Sequence, residues 1–242
     1  MKTLCAPVVS VQRSDERYFA DHGWLRTHYS LSFADYYDPA NLNWGALRVF
    51  NDDHIAAGQG FPPHSHRDME ILTYVFGGEL EHQDSMGNRG VVSPGGVQFM
   101  SAGTGVRHSE FNHSPTSPLH LVQMWVAPGQ TGAAPSYGQQ QFAREGRLNR
   151  WLEVATGEAH LAAPIALTQT ATLRVARIEE TELVHEFVPR RYGFIFVGEG
   201  QANINEHALK AGDAMRTYDV QHVTLRGSAE IVFWDLPAVG LS

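Results

Sequence analysis

Short apolar runs separated by glycine and proline constrain the fold of this chain more than any other feature. The 23 glycines and 12 prolines separate runs rich in Val, Ile, Phe, Tyr, Trp and Thr, which favour strands. Helical periodicity is scarce, so the pattern predicts an all-β fold of short antiparallel strands. We expect strands at Leu47–Phe50, Ile71–Phe76, Gly90–Val92, Val97–Met100, Leu119–Val126, Leu173–Ile178, Leu183–Val188, Phe194–Val197, Ala202–Ile204 and Ile231–Trp234.

The middle of the chain has a different character. The segment Pro128–Ser136 is uncharged and rich in Gly, Ala and Pro, which is typical of a linker. After it, Gln139–Leu152 is the one segment that we expect to be helical. These features divide the chain into an N-terminal domain, residues 1–130, and a C-terminal domain, residues 131–242.

The two halves resemble each other. Four short matches occur in the same order in both, and the distance between partners shortens steadily along the chain. This order indicates two copies of one β unit, each closed into a small barrel or jelly roll that hides its strand edges. The matches pair Gly78 with Gly200, Gly95 with Gly212, His108 with His222, and Trp125 with Trp234.

Composition and charge exclude several classes of function. Asp plus Glu exceed Lys plus Arg by 26 to 18, for a net charge of −8, which would repel a phosphate backbone. No apolar run is long enough to span a membrane, and the opening residues have too short an apolar stretch for a signal peptide. The single cysteine, Cys5, cannot form an internal disulfide and is expected to be a free thiol. We therefore expect a cytoplasmic protein that binds neither nucleic acid nor membrane.

Histidines concentrate in the first half, where two pairs have the spacing of metal ligands. His64 and His66 are two residues apart, which on a strand places both imidazoles on one face, about 6–7 Å apart along the chain. A chain with 13 histidines is expected to hold about one such pair by chance, so the pair alone is weak evidence. His108 and Glu110 repeat the spacing. On neighbouring strands, the two pairs would offer three nitrogens and one oxygen.

This donor set favours iron over zinc. A six-coordinate metal would keep two positions open, the arrangement in which non-haem iron holds substrate and dioxygen side by side. Structural zinc prefers four ligands with more thiolate than one cysteine can supply. We therefore expect one divalent ion per chain, Fe(II).

Other polar motifs in this region have simpler interpretations. The run Glu81–Asp84 leads into a turn, and we expect it to be a solvated hairpin end. His113 and His120 lie close to prolines and are interpreted as loop or rim residues. The segment Gly103–Gly105 lacks the lysine of a phosphate-binding loop, so a tight turn is expected there.

The motif around the first pair resembles that of a known family. From Gly58 onward the chain reads G-x5-H-x-H-x3-E-x6-G, the cupin motif, and HSHRDMEILTYVFGGELEHQDSMG with FMSAGTGVRHSEFN resembles the pirin family. The resemblance implies a bicupin, two cupin-type β-barrels with a short helical linker. It also implies that Glu70, a metal ligand in many other cupins, lies behind the ligands and orients an imidazole. The second cupin motif has a proline five residues before His108, and this chain has Gly103 at that position. The implied metal ligands are His64, His66, His108 and Glu110.

The C-terminal copy is expected to lack a metal. Under the pairing of the halves, the positions of the first two ligands are occupied by Glu186 and Val188, and that of the carboxylate by Thr224. His222 is then left alone, and a lone histidine is usually structural. His185 could form a partial site with His222, but the neighbouring residues Arg190 and Arg191 would oppose a cation.

Resemblance to bacterial pirins implies a quercetin 2,3-dioxygenase, which opens the heterocycle of a flavonol with O2 and releases carbon monoxide. In that case Glu110 would accept the proton of the flavonol 3-hydroxyl as general base. Two alternatives remain open at this point. One is a non-enzymatic, iron-binding pirin that regulates a partner protein, and the other is a cupin isomerase whose metal does not change oxidation state. Flavonol-dependent oxygen uptake would distinguish the dioxygenase from the regulatory pirin. The identity of the metal would distinguish the isomerase from both.

Overall fold

The computed structural model describes residues 6–238, which form β-strands almost throughout. Outside the strands lie a 3-10 turn at Ser14–Glu16 and one short helix, α1 (Arg144–Arg147). The strands are β1 (Val8–Gln12), β2 (Tyr18–Asp21), β3 (Leu25–Tyr29), β4 (Leu47–Ile55), β5 (Gly60–His66), β6 (Glu70–Gly77), β7 (Leu80–Asp84), β8 (Arg89–Val92), β9 (Gly96–Ser101), β10 (Val106–Asn112), β11 (Leu119–Val126), β12 (Ser136–Gln141), β13 (Leu152–Thr156), β14 (Ile165–Ala166), β15 (Thr172–Glu186), β16 (Tyr192–Ile204), β17 (His207–Lys210), β18 (Ala214–Tyr218) and β19 (His222–Leu236).

Two sheets form the N-terminal half. A seven-stranded sheet has the order β12-β9-β6-β11-β4-β3-β2, and a four-stranded sheet has the order β5-β10-β7-β8. Strands β7 and β10 alternate buried and less buried residues, as expected for strands with one face towards a core. Side chains of the two sheets meet inside this half, where Gln98 of β9 reaches Glu110 of β10.

The C-terminal half contains an eight-stranded sheet. Its main path is β1-β18-β16-β19-β15-β13-β14, and β17 pairs with β16. The three longest strands, β15, β16 and β19, have register shifts in their pairing, after Glu179 in β15 and after Val197 in β16. Such bulges bend a strand, so one long strand serves two parts of the fold. The predicted strands Leu173–Ile178 and Leu183–Val188 therefore belong to one strand, β15, which ends two residues earlier than predicted, at Glu186. The predicted strands Phe194–Val197 and Ala202–Ile204 both fall within β16.

The prediction of an internal repeat is confirmed. The central strand order β9-β6-β11-β4 of one half corresponds to β18-β16-β19-β15 of the other. The paired glycines adopt the same left-handed conformation, with φ of 80° at Gly95 and 87° at Gly212, and 81° at Gly78 and 74° at Gly200. The fold is all-β, as predicted. The halves also exchange strands, because β1 pairs in the C-terminal sheet and β12 in the N-terminal sheet.

The two large sheets pack against each other through a shared apolar core. The rings of Phe50 and Phe194 lie 4.6 Å apart, and the indole N–H of Trp234 points at the sulfur of Met124 at 3.0 Å. All four side chains are buried in one cluster with residues of both halves. This packing fixes the back of the strands β4 and β11, whose opposite face lines the N-terminal cavity.

The expected helix over Gln139–Leu152 is wrong for most of its length. Residues up to Gln141 form β12, which pairs with β9, and the helix that follows has only four residues. Isolated helices shorter than about 12–15 residues are marginal, whereas pairing with an open sheet edge satisfies the backbone of β12. Cys5 lies outside the described residues. Within residues 6–238, no helix is long and apolar enough to cross a membrane.

Candidate metal centre

Strands β5 and β10 bring three imidazoles together. His108 lies opposite His64 in the antiparallel register of the two strands, and His66 follows two residues later on the same face. The rings of His64 and His108 are 4.4 Å apart, and that of His66 is 4.8 Å from the first and 4.9 Å from the second. A ring nitrogen from each residue lies within 4.8 Å of the other two. The spacing deduced from sequence therefore corresponds to a real convergence.

The hydrogen bonds of these histidines leave lone pairs for a metal. Nδ1 of His64 lies 2.8 Å from the carbonyl oxygen of Pro62, so this nitrogen carries the proton and Nε2 is left as a ligand atom. Nε2 of His108 is buried and has no hydrogen-bond partner among residues 6–238. A buried polar atom without a partner is costly unless something binds it. The residues present thus fit a divalent metal.

The surroundings keep two of these imidazoles neutral. Burial, together with the neighbouring histidines His108 and His64, lowers the pKa of His66 to about 4. Burial, followed by His64 and His82, lowers the pKa of His108 to about 3. A neutral imidazole has the lone pair that a metal requires, so these two side chains are ready to bind at neutral pH.

Glu110 is buried beside the histidines in a bed of amides. Its Oε1 accepts a hydrogen bond of 2.6 Å from Gln98, and its Oε2 accepts one of 2.8 Å from Gln123. The indole N–H of Trp125 donates to the amide oxygen of Gln123, which orients the amide nitrogen towards the carboxylate. An ionised carboxylate has about four lone-pair directions, so two remain for a metal or a proton. Its carboxylate lies within 4.8 Å of a nitrogen of His108 and a nitrogen of His82, in a group that shares only His108 with the three-histidine group.

Sequence reasoning missed both glutamines. Gln98 lies between Val97 and Phe99, and Gln123 lies between Val122 and Met124, in strands that are otherwise apolar. A polar side chain in the middle of a buried strand needs a partner, which is the signal that could have identified them.

Glu70 makes contacts different from those expected. Its carboxylate accepts hydrogen bonds from the backbone N–H groups of Thr168, at 2.7 Å, and Gln169, at 3.3 Å. Both oxygens are thus used by a loop of the C-terminal half, and no hydrogen bond between Glu70 and an imidazole is found within residues 6–238. Through these contacts Glu70 joins the two halves of the chain.

The expectation that the run Glu81–Asp84 is solvated is wrong for two of its residues. His82 and Asp84 are buried, because alternate residues of β7 point inward. Nε2 of His82 lies 3.2 Å from Oδ2 of Asp84, and Nδ1 of His82 lies 3.5 Å from Nδ1 of His108. Burial alone would raise the pKa of Asp84, but hydrogen bonds from Asn88 and His82 lower it below its ordinary value.

A cavity of about 290 Å³ opens beside the three histidines. Its walls are mainly aromatic and aliphatic, with a few polar groups that include Glu110, Gln123 and Asp53. Burial raises the pKa of Asp53 to about 7. Cavities with mainly apolar walls and a few polar groups are typical binding sites for small molecules. It is lined by Leu25, Tyr29, Phe33, Asn51, Asp53, Phe61, Pro62, Pro63, His64, His66, Glu110, Gln123 and Trp125.

A second histidine group lies on the face of β4 and β11 that is turned away from the cavity. His120, expected at a rim, is part of β11 and is 2.8 Å from Oδ1 of Asp52, while the ring of His54 stacks on it at 4.1 Å. The other oxygen of Asp52 accepts a hydrogen bond of 2.7 Å from the guanidinium of Arg17. This buried ion pair already balances the carboxylate. His113 is exposed and pairs with Glu81, in line with the expected loop position.

The corresponding histidines of the C-terminal half are arranged differently. His222 is exposed at the start of β19. Nε2 of His185 lies 3.0 Å from Asp235, a carboxylate that is also bound by Arg191 at 2.6 Å. Every group of three potential ligand residues found within the described part of the chain lies between Asp52 and His120.

Comparison with known proteins gives family matches in both halves of the chain. Residues 11–126 match the family model described as Pirin, and residues 159–236 match that of the quercetinase C-terminal cupin domain. A protein named quercetin 2,3-dioxygenase from Escherichia coli (strain K12) is 40% identical over 235 residues, covering 96% of this chain and 100% of the relative. A pirin-like protein from Caulobacter vibrioides is 40% identical over 219 residues, 89% of this chain and 94% of the relative.

Solved structures of similar proteins share this fold. The crystal structure of the bacterial pirin YhhW from Escherichia coli in complex with nickel(II) has a TM-score of 0.89 and 40% identity, covering 96% of this chain and 100% of the other. A quercetin 2,3-dioxygenase from Acinetobacter baumannii shares the fold at a TM-score of 0.75 with 18% identity, covering 94% of this chain and 86% of the other. The sequence motifs, the paired β units and these matches together establish that this chain belongs to the pirin family of bicupins.

Proposed function

We propose that the protein is a metal-dependent dioxygenase of the quercetin 2,3-dioxygenase type, which opens a flavonol ring with O2. The observation that carries the proposal is the convergence of His64, His66 and His108 beside a largely apolar cavity, where the buried Nε2 of His108 has no hydrogen-bond partner in the described part of the chain. Similarity to proteins named quercetin 2,3-dioxygenase supports the substrate class. Glu110 completes the proposed ligand set, one ion is bound per chain, and Fe(II) is the proposed metal.

His64, His66, His108 and Glu110 would hold the metal, which when bound would supply the redox chemistry with dioxygen. The protein's part is to bind and orient the substrate. Tyr29, Phe33 and Trp125 form aromatic walls against which a flat ring system can pack. Glu110, held as an acceptor by Gln98 and Gln123, is the proposed base for the 3-hydroxyl proton. The apolar walls also limit access of water.

The C-terminal half, residues 131–242, is proposed to bind no metal, and the N-terminal half, residues 1–130, to hold the site. Support comes from Glu186, Val188 and Thr224 at the positions that match the ligands. His185 is already engaged with Asp235, which leaves His222 without a second imidazole. The C-terminal half contributes instead through the packing that holds β4 and β11.

One experiment tests the activity directly. Protein is purified without oxygen, its metal is quantified, and oxygen uptake is followed after addition of a flavonol to the Fe(II) form. We expect uptake that depends on both the flavonol and the protein and that exceeds uptake by free Fe(II). Iron-loaded protein with no flavonol-dependent uptake would contradict the enzyme proposal and favour a regulatory pirin. Purified protein that holds a metal without redox chemistry would instead favour an isomerase.

A further inference from the structure

His82 and Asp84 lie next to His108 and form a chain of contacts with it. His82 lies on β7, next to β10, and its Nδ1 is 3.5 Å from Nδ1 of His108. On its other side, Nε2 of His82 is 3.2 Å from Oδ2 of Asp84. His82, His108 and Asp84 are buried, and His82 is not part of the cavity wall. The ring of His82 stacks on Tyr137 of β12 at 4.3 Å, which fixes its plane.

Asp84 is held so that it can only accept a hydrogen bond from His82. Its Oδ1 accepts the backbone N–H groups of Met86, at 2.9 Å, and Asn88, at 3.0 Å. Its Oδ2 accepts the side-chain amide of Asn88 at 2.8 Å and faces His82. Because an ionised carboxylate has no proton to donate, the His82 proton must lie on Nε2.

This arrangement determines the tautomers of both rings. With its proton on Nε2, His82 presents a lone pair at Nδ1 towards Nδ1 of His108. The two Nδ1 atoms form a hydrogen bond only if His108 carries its own proton there. The lone pair of His108 is then on Nε2, which is the buried atom without a partner.

We propose that Asp84 and His82 are positioning residues, which hold His108 in the tautomer whose Nε2 lone pair can bind the metal. The inference rests on the proposed metal site and adds to it two residues outside the proposed ligand set. Partners of this kind behind a ligating histidine typically change metal affinity by about 10–100-fold when removed.

The substitution Asp84→Asn replaces the oxygen that faces His82 and that also accepts the side-chain amide of Asn88. The two backbone N–H groups at Oδ1 require an oxygen there, so the amide nitrogen takes the place of Oδ2 and donates to Nε2 of His82. His82 then carries its proton on Nδ1, and two N–H groups face each other. We expect nickel(II) to bind about 10–100-fold more weakly. His82→Phe keeps a ring against Tyr137 but offers no acceptor, and a similar loss is expected.

The double variant distinguishes positioning from a structural role. If Asp84 acts through His82, then Asp84→Asn should add little to the loss already caused by His82→Phe. Two independent structural losses would instead be additive. The matched control is Asp213→Asn, because Asp213 also accepts backbone N–H groups, from Ser14 and Lys210, far from the histidines. This control should keep the nickel affinity of the unchanged protein.

Two measurements test whether Asp84 and His82 position His108. Nickel(II) is titrated into metal-free protein in competition with a coloured chelator, and the protonated ring nitrogens are identified by NMR of metal-free protein with 15N-labelled histidine. The expected spectrum shows protons on Nε2 of His82 and Nδ1 of His108. A proton on Nε2 of His108, or an unchanged nickel affinity in folded Asp84→Asn protein, would overturn the proposal. Should Asp84→Asn fail to fold, the NMR of the unchanged protein and the His82→Phe titration still decide. Failure of the unchanged protein to bind nickel would contradict the proposed metal site. The NMR spectrum would still identify the tautomers of His82 and His108 in that case.

Discussion

The side-chain amide of Gln98 donates a hydrogen bond of 2.6 Å to Oε1 of Glu110, although the two residues belong to different sheets. Gln123 donates to the second oxygen from the same side. The seven-stranded sheet therefore holds a carboxylate that is carried by the four-stranded sheet. The hydrogen bonding of Glu110 therefore depends on how the two sheets pack against each other.

Replacing Gln98 with Met should weaken the site, because Met has a similar volume but no N–H group. Without this donor, Oε1 of Glu110 loses the hydrogen bond that holds the carboxylate in place beside the histidines. We expect nickel(II) affinity, measured by chelator competition, to fall by about tenfold, within the range for such supporting residues. Gln140→Met, an exposed glutamine on β12, is the matched control. Equal affinities of the two variants would show that Gln98 does not support the site.

The substitution Glu110→Gln should reduce turnover far more than metal content. The amide keeps an oxygen that can bind a metal, but it cannot accept the 3-hydroxyl proton at neutral pH. Loss of a general base costs about 10²–10⁴ in rate. Flavonol-dependent oxygen uptake and metal content are measured on the same preparation. Turnover that survives in a fully loaded variant would remove Glu110 as the base while leaving the enzyme proposal intact.

Replacing His64 and His66 together with Ala should abolish most metal binding, since the remaining ligands bind far more weakly. We expect close to one equivalent of metal in the unchanged protein and a small fraction of that in the double variant. His222→Ala in the C-terminal half should leave the metal content unchanged. Retention of full metal by the double variant would place the site elsewhere, and a loss of metal in His222→Ala would contradict a metal-free C-terminal half.

The buried pair of Arg17 and Asp52 should stabilise the fold above pH 4 and lose its effect in acid. Burial alone would raise the pKa of Asp52, but His120 and Arg17 hold it well below its ordinary value. A lowered folded-state pKa means that the stabilisation is complete above the unfolded value of about 3.9 and declines as the pH falls. At pH 7, Asp52→Asn should reduce the free energy of unfolding by about 3–5 kcal/mol, because Arg17 is left buried without its partner.

Urea unfolding at several pH values checks this prediction, with the metal-free protein used throughout. Asp21→Asn is the control, since Asp21 pairs with Arg26 at 4.0 Å in a largely exposed position, where ion pairs contribute about 0–1 kcal/mol. The difference between the unchanged protein and Asp52→Asn should shrink below pH 4. A difference that stays constant into acid would mean that the Asp52 charge is not the source of the stabilisation.

The sequence by itself determined the features that depend on local periodicity. The alternation of a strand places His64 with His66, and His108 with Glu110, on common faces, and the punctuation by glycine and proline predicted the short strands of an all-β fold. The paired glycines Gly95 and Gly212 carry the repeat because each turn needs a left-handed residue. These relations extend over a few residues, so they can be read along the chain.

Only the tertiary structure decided the partners that come from other strands. Gln98 supports Glu110, His82 supports His108, and Glu70 binds the loop at Thr168 rather than an imidazole. The segment Ser136–Gln141 became a strand because a sheet edge at β9 was available. Each of these outcomes depends on which buried groups face each other after the sheets pack, and a hydrogen bond between distant segments leaves no periodic signal in the sequence.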